Sequence, residues 1–127
     1  MRSTALSTPA CLAALAAVLL LLPSMAAADA AAGKATFEAN CASCHGMTGK
    51  GDGPVGAALQ PPPRDFSKGD FKFDGNGDGK LGEDADLTAV ITQGAAAFGG
   101  SPLMAPWPTL SDEDVTSVVI FIRTLKE

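Results

Sequence analysis

The chain has little of what catalysis in water ordinarily draws on. Among its 127 residues there is one histidine, one tryptophan, no tyrosine and only three cysteines. A single imidazole excludes ligation of one metal ion by two histidines of the same chain. With no second histidine and no tyrosine, a catalytic acid or base would have to come from Arg64 or a carboxylate. Positive charge is scarce as well: 9 Lys and Arg face 14 Asp and Glu, for a formal net charge of −5. Such an acidic chain is a poor partner for nucleic acid. Complementary charge favours a protein partner with a basic docking patch. No small-molecule substrate is expected.

One long apolar run exists, from Cys11 to Leu22, and it falls short of the ~20 residues a transmembrane helix needs. Arg2 precedes it, and the small residues of Pro23-Ser24-Met25-Ala26-Ala27-Ala28 follow it. Positive start, short apolar stretch and small-residue exit form the pattern of a secretory signal peptide. The expectation is that 1–28 are removed on export and that 29–127 form one small domain. The alternative is an uncleaved segment that anchors the chain. Removal would take Cys11 with it, leaving Cys41 and Cys44 as the only thiols. A domain this small buries a thin core and usually needs a staple.

Cys41-Ala42-Ser43-Cys44-His45 supplies one. Cys-x-x-Cys-His is the attachment pattern of a c-type haem. Two thiols at this spacing can each form a thioether to one vinyl group, and the adjacent imidazole is then held beneath the iron. A thioredoxin-like dithiol would sit in a βαβ pattern, which the surrounding sequence lacks. Zinc needs about four ligands, so acidic residues would have to complete that site. One covalent haem c is therefore expected.

Around this motif the periodicities are helical. Ala31 to Ala42 reads as a helix running into the motif, with Gly33 and Phe37 on one face. Gly46 to Pro63 is a Gly- and Pro-rich loop, and its rigid Gly53-Pro54 could supply a backbone acceptor for the second nitrogen of His45. Asp86 to Gln93 reads as a short helix that stops at Gly94. Ala95 to Pro108 is a second loop, carrying Met104 and Trp107. Ser111-Asp112-Glu113-Asp114 opens the clearest helix, capped by Ser111 and Asp114. Val115, Val118, Val119, Ile122 and Leu125 form its apolar stripe, with Phe121 on the margin. No strand is expected.

An iron held by His45 takes a Met or Lys on its other face, or leaves that position open. Met47 is tethered beside His45 and can hardly reach across the ring. Met104 lies far downstream in a Pro-bounded loop that can wrap round the edge, so His45 and Met104 are the expected axial pair. Thioether ligation favours reduced iron and raises the potential.

These features together resemble a class I cytochrome c over essentially all of Ala31 to Leu125. The shared features are Cys41-x-x-Cys44-His45, the Gly33/Phe37 pair, Phe121-Ile122-Arg123-Thr124-Leu125, and a C-terminal Met in a Pro-containing loop. The segment from His45-Gly46 through Gly51-Asp52-Gly53-Pro54 to Pro62-Pro63-Arg64-Asp65-Phe66 is similar to that of bacterial monohaem periplasmic cytochromes. The resemblance implies a small all-α fold of three to five helices wrapped around one haem. It implies that the first and last helices cross tightly. It further implies that the Pro54 carbonyl accepts the His45 ring N–H, and that Trp107 and Arg64 lie near a haem propionate. Two departures stand out. Ala105 separates Met104 from Pro106 where the family reads Met-Pro, and an acidic insertion occupies 74–86.

That insertion, Asp74-Gly75-Asn76-Gly77-Asp78-Gly79-Lys80-Leu81, matches the first eight positions of an EF-hand loop. Its twelfth position is Ala85, so a calcium site would need Asp84 or Asp86 in place of the usual bidentate Glu, with Asp74, Asn76, Asp78 and the Lys80 carbonyl. A solvated Gly/Asp-rich turn is the favoured reading, and calcium the alternative.

The functional expectation is a periplasmic one-electron carrier with no catalytic residues. It would accept electrons from a dehydrogenase or quinol-oxidising complex and deliver them to an oxidase or reductase. Two alternatives are a haem enzyme or gas sensor with an open sixth position, and a dedicated cytochrome subunit of an oxidoreductase complex.

Overall fold

The computed structural model describes residues 28–127. The segment expected to be removed on export lies outside the described residues except for Ala28. Regular structure consists of α1 (Ala30–Asn40), α2 (Ala42–His45), α3 (Asp84–Gln93) and α4 (Asp112–Thr124), with 3₁₀ turns at Gly56–Ala58, Phe66–Lys68 and Ala95–Phe98. Among the described residues there is no strand, and no helix long and apolar enough to cross a membrane. The all-α expectation is met.

Helix α1 starts where the Asp29 carboxylate accepts the Ala32 N–H at 2.7 Å, satisfying an otherwise unpaired donor of the first turn. It was expected to run unbroken to Ala42, but the backbone opens at Cys41 (φ −117°). The Cys41 carbonyl then accepts from both Cys44 and His45 N–H, at 3.2 and 2.9 Å, so that the haem motif forms its own turn, α2.

Helix α4 is capped as expected. The Ser111 hydroxyl oxygen accepts the Asp114 N–H at 3.1 Å, and the Asp114 carboxylate accepts the Ser111 N–H at 3.2 Å. Its apolar stripe is buried from Val115 to Ile122, with Val115 and Val118 each 1 % exposed, and Leu125 is half-buried at its end. Phe121, expected on the margin, belongs to the core instead: its ring lies 5.2 Å from that of Phe37, the most deeply buried residue of α1. The reason is the crossing of α1 over α4. A Cβ at Gly33 would overlap the carbonyl of Ser117, so the two backbones touch where only glycine allows it. Ser117 is itself buried, and its hydroxyl accepts the Asp29 N–H at 3.2 Å.

Helix α3 begins two residues earlier than expected, at Asp84, because the Asp86 side chain accepts the Glu83 N–H at 2.7 Å and caps the first turn. It ends at Gly94 (φ 81°), as the sequence indicated. Leu87 and Ile91 join Val118 and Ile122 of α4 in the core. Leu87, Ile91, Val118 and Ile122 of this core also line an open cleft.

Candidate haem site

The cleft has a volume of about 710 Å³ and is lined by Cys41, Cys44 and His45, by Leu87, Val90 and Ile91 of α3, and by Met104 and Trp107. That volume lies within the ~300–1,000 Å³ usual for a bound cofactor. Most of the surface it exposes is apolar, and the polar donors are few and placed. Cys41, Cys44, His45 and Met104 thus line a single hydrophobic space, and the first three are the residues by which a c-type haem is attached.

His45 is 8 % exposed, and its Nδ1 lies 3.2 Å from the carbonyl oxygen of Arg64. A carbonyl can only accept, so Nδ1 carries the proton and the lone pair resides on Nε2. Burial lowers the proton affinity of the ring, partly offset by the Arg64 bond, and the imidazole is neutral at physiological pH. The ring stacks on Phe66 at 4.5 Å and 17°, and Phe66 stacks in turn on Phe71 at 5.9 Å. Two backbone bonds fold the intervening loop back to make this possible. Gly51 donates to the His45 carbonyl at 2.8 Å, and Phe66 donates to the Gly49 carbonyl at 2.7 Å.

Pro54 does not supply the acceptor expected of it. Gly53 and Val55 donate to the carbonyls of Cys44 and Ser43, at 3.2 and 2.9 Å. This pins the Gly53-Pro54 segment along the outside of α2, where Pro54 is exposed beside Glu38, Ser43 and Met47. The stiff Pro61-Pro62-Pro63 run brings the Arg64 carbonyl to the imidazole in its place. Only that run hinted at it, since a backbone carbonyl leaves no mark on residue identity.

Burial, with Cys44 nearby, pushes the Cys41 thiol up to about 11. Reactive dithiols have lowered, not raised, thiol pKa values, so this environment does not suit the thioredoxin reading. Met104 is half-buried. Its segment is tied to the end of α3: Ala95 donates to the Met104 carbonyl at 3.0 Å, and Trp107 donates to the Ile91 carbonyl at 2.9 Å. Gly94 suits this place because its φ of 81° is one that L side chains rarely adopt, and a Cβ would also lie only 3.0 Å from the Met104 carbonyl and Pro106. Ala105 is exposed and the strap closes without a Met-Pro sequence. The Arg64 guanidinium borders the cleft and approaches Asp70 at 3.5 Å, with Lys68 and Lys72 also on the rim.

The acidic insertion folds on its own backbone. Asp74 accepts from Gly77, Asp78 and Gly79, Asn76 from Asp78, and Asp78 from Lys80. Asp84 pairs with Arg123 of α4 at 2.8 Å, and Asp86 is committed to amides at Gly75, Asn76 and Glu83. Among the described residues no group of three or more His, Cys, Asp or Glu side chains converges on a point. The two carboxylates proposed to complete a calcium loop are engaged elsewhere.

The cytochrome c family model matches residues 30–126 of this chain. Cytochrome c-554(547) of Halothiobacillus neapolitanus is 36% identical over 103 residues, covering 79% of this chain and 100% of that protein. Cytochrome c6 of Rippkaea orientalis (strain PCC 8801 / RF-1) is 33% identical over 108 residues, covering 85% of this chain and 81% of the relative. Among solved structures, a chain of the Kuenenia stuttgartiensis reducing HAO-like protein complex Kustc0457/Kustc0458 superposes with a TM-score of 0.62 at 34% identity, over 75% of this chain and 41% of that one.

Proposed function

The chain belongs to the cytochrome c family, and from that premise we propose that it is an exported one-electron carrier, its haem c joined to Cys41 and Cys44 and ligated by His45 and Met104. Haem-based electron transfer comes with the family. The observation that carries the ligation is the 3.2 Å approach of His45 Nδ1 to the Arg64 carbonyl, which directs the metal-binding lone pair to Nε2 in a cleft that Met104 also lines. Bound there, the haem supplies an iron that passes between two oxidation states. With the His45 imidazole and the Met104 thioether as its two protein ligands, that iron would exchange an electron with little rearrangement of its surroundings. Trp107 and the Arg64 guanidinium, both at the cleft, suit the propionate edge. Export is supported by Arg2, the short apolar run and the small residues before Asp29, and by the need to attach c-type haem outside the bacterial cytoplasm. The partners would be redox proteins, a dehydrogenase or quinol-oxidising complex as donor and an oxidase or reductase as acceptor.

A second reading makes the chain a dedicated subunit of one oxidoreductase. It is favoured by the likeness to part of a chain from the reducing HAO-like complex. Co-purification at fixed stoichiometry with one partner enzyme is expected of a subunit and not of a diffusing carrier.

The visible spectrum of the haem-loaded protein tests the main reading. A weak far-red iron–sulfur band in the oxidised form, with no response of the reduced form to carbon monoxide, is the expected result. Absence of the band together with ready carbon monoxide binding would remove Met104 from the iron and favour an open-site enzyme or sensor.

A further inference from the structure

We propose that Asp86 is a positioning residue for the Met104 side of the haem: its buried carboxylate fastens the 74–86 insertion to the start of α3, the helix whose other end holds the Met104 strap. The proposal rests on the Met104 ligation argued above.

Asp86 is 1 % exposed and is a buried carboxylate that borders the haem cleft. One oxygen accepts the N–H groups of Gly75 (2.7 Å) and Asn76 (3.2 Å), and the other accepts the Glu83 N–H at 2.7 Å. The first two bonds reach back across the whole insertion, and the third caps α3. A buried carboxylate is costly unless fully bonded, and here every bond is to backbone. No side chain of a neighbour has to be in place for these bonds to form. A second fastening comes from α4, where Arg123 bonds the Gly82 carbonyl at 2.6 Å and Asp84 at 2.8 Å. Its guanidinium lies 5.0 Å from the centre of the Phe71 ring, the outer member of the stack behind His45. The insertion is thus bolted to α3 from inside and to α4 from outside.

The far end of α3 carries the consequence. Ile91 is its last buried residue and Gly94, just past its end, is buried too; the Ile91 and Met104 carbonyls accept from the Trp107 and Ala95 N–H groups. Leu87, Val90 and Ile91 on the same helix form the cleft wall. A helix moves largely as a unit, so freeing its first turn shifts both the wall and the strap. Outer partners that orient a metal ligand commonly govern its hold on the metal.

The test uses the full haem-loaded chain with Asp86→Ala and Asp86→Asn, the second being milder because one oxygen acceptor survives. Asp29→Ala, which uncaps α1 far from the strap, is the control for general loss of stability. The expected result at a temperature where all four proteins are folded is a weakened far-red band and roughly tenfold greater carbon monoxide binding in the Asp86 variants. The Ala95 and Trp107 amides should exchange with solvent roughly tenfold faster in those variants, with neither change in Asp29→Ala. Asp86 variants that match Asp29→Ala in band, ligand binding and exchange would overturn the proposal. If the unaltered protein itself lacks the band and binds carbon monoxide, the Met104 ligation fails. The two amide exchange rates then still decide whether Asp86 positions the strap.

Discussion

Gly33 on α1 lies against the backbone carbonyl of Ser117 on α4, so close that a Cβ at position 33 would occupy the carbonyl oxygen's space. The crossing sets the angle at which α1 delivers Cys41 to the cleft. In an open helix, Gly33→Ala would add up to ~1 kcal/mol of helix propensity. Here the methyl meets backbone that cannot rotate aside, and overpacking costs of about 1–3 kcal/mol outweigh the gain. Urea unfolding of the haem-loaded variant should give a lower midpoint with little change in slope. A midpoint equal to or above that of the parent would contradict the crossing.

The acceptor of the His45 ring N–H is the Arg64 carbonyl, with Pro54 on the outer surface. Pro54→Ala should therefore leave the haem spectrum and midpoint potential unchanged. It should cost only about 0.4–1 kcal/mol of stability, because the unfolded chain gains freedom. A changed potential with the fold intact would restore Pro54 to the imidazole.

Ser111 and Asp114 cap α4 reciprocally, and Ser111→Ala should cost about 1 kcal/mol at neutral pH. The hydrogen bonds that Ser111 donates hold the Asp114 carboxyl below its ordinary 3.8. A carboxyl lowered by folding stabilises the native state fully above its unfolded value and loses that contribution as pH falls through the lower folded value. The penalty of Ser111→Ala should therefore be constant from neutral pH down to about pH 4 and shrink below it. A penalty that stays flat to more acidic pH would show that Asp114 takes no part in the cap.

The acidic insertion holds its shape through backbone N–H groups bound to Asp74, Asn76 and Asp78, with Asp84 and Asp86 engaged outside any shared centre. Calcium at ~10⁻³ M, the weak end of such loops, should give no binding heat and no rise in melting temperature. A saturable heat with a stabilised protein would show that the loop rearranges around the ion.

Much of this was readable in order along the chain because it depends on near neighbours. Cys41-x-x-Cys44-His45 states its chemistry by spacing alone, and the Ser111/Asp114 cap and the stripe of α4 follow from contacts three or four residues apart. The start of α3 was misread because the side chain that caps it, Asp86, looks like a calcium-loop remnant unless its partners across the insertion are known. Phe121 was misplaced for a similar reason: only the close approach of α1 at Gly33 makes that flank of α4 an inside surface.

What the amino-acid order determined by itself, then, is the local grammar: which segments are helical, where they are capped, and which residues can bind a haem. Tertiary structure alone decided which backbone carbonyl meets His45, which glycine admits a neighbouring helix, and which carboxylate is buried. Those outcomes belong to groups far apart in the chain. A backbone carbonyl is the same at every residue, so only the folded path of the chain selects Arg64 over Pro54.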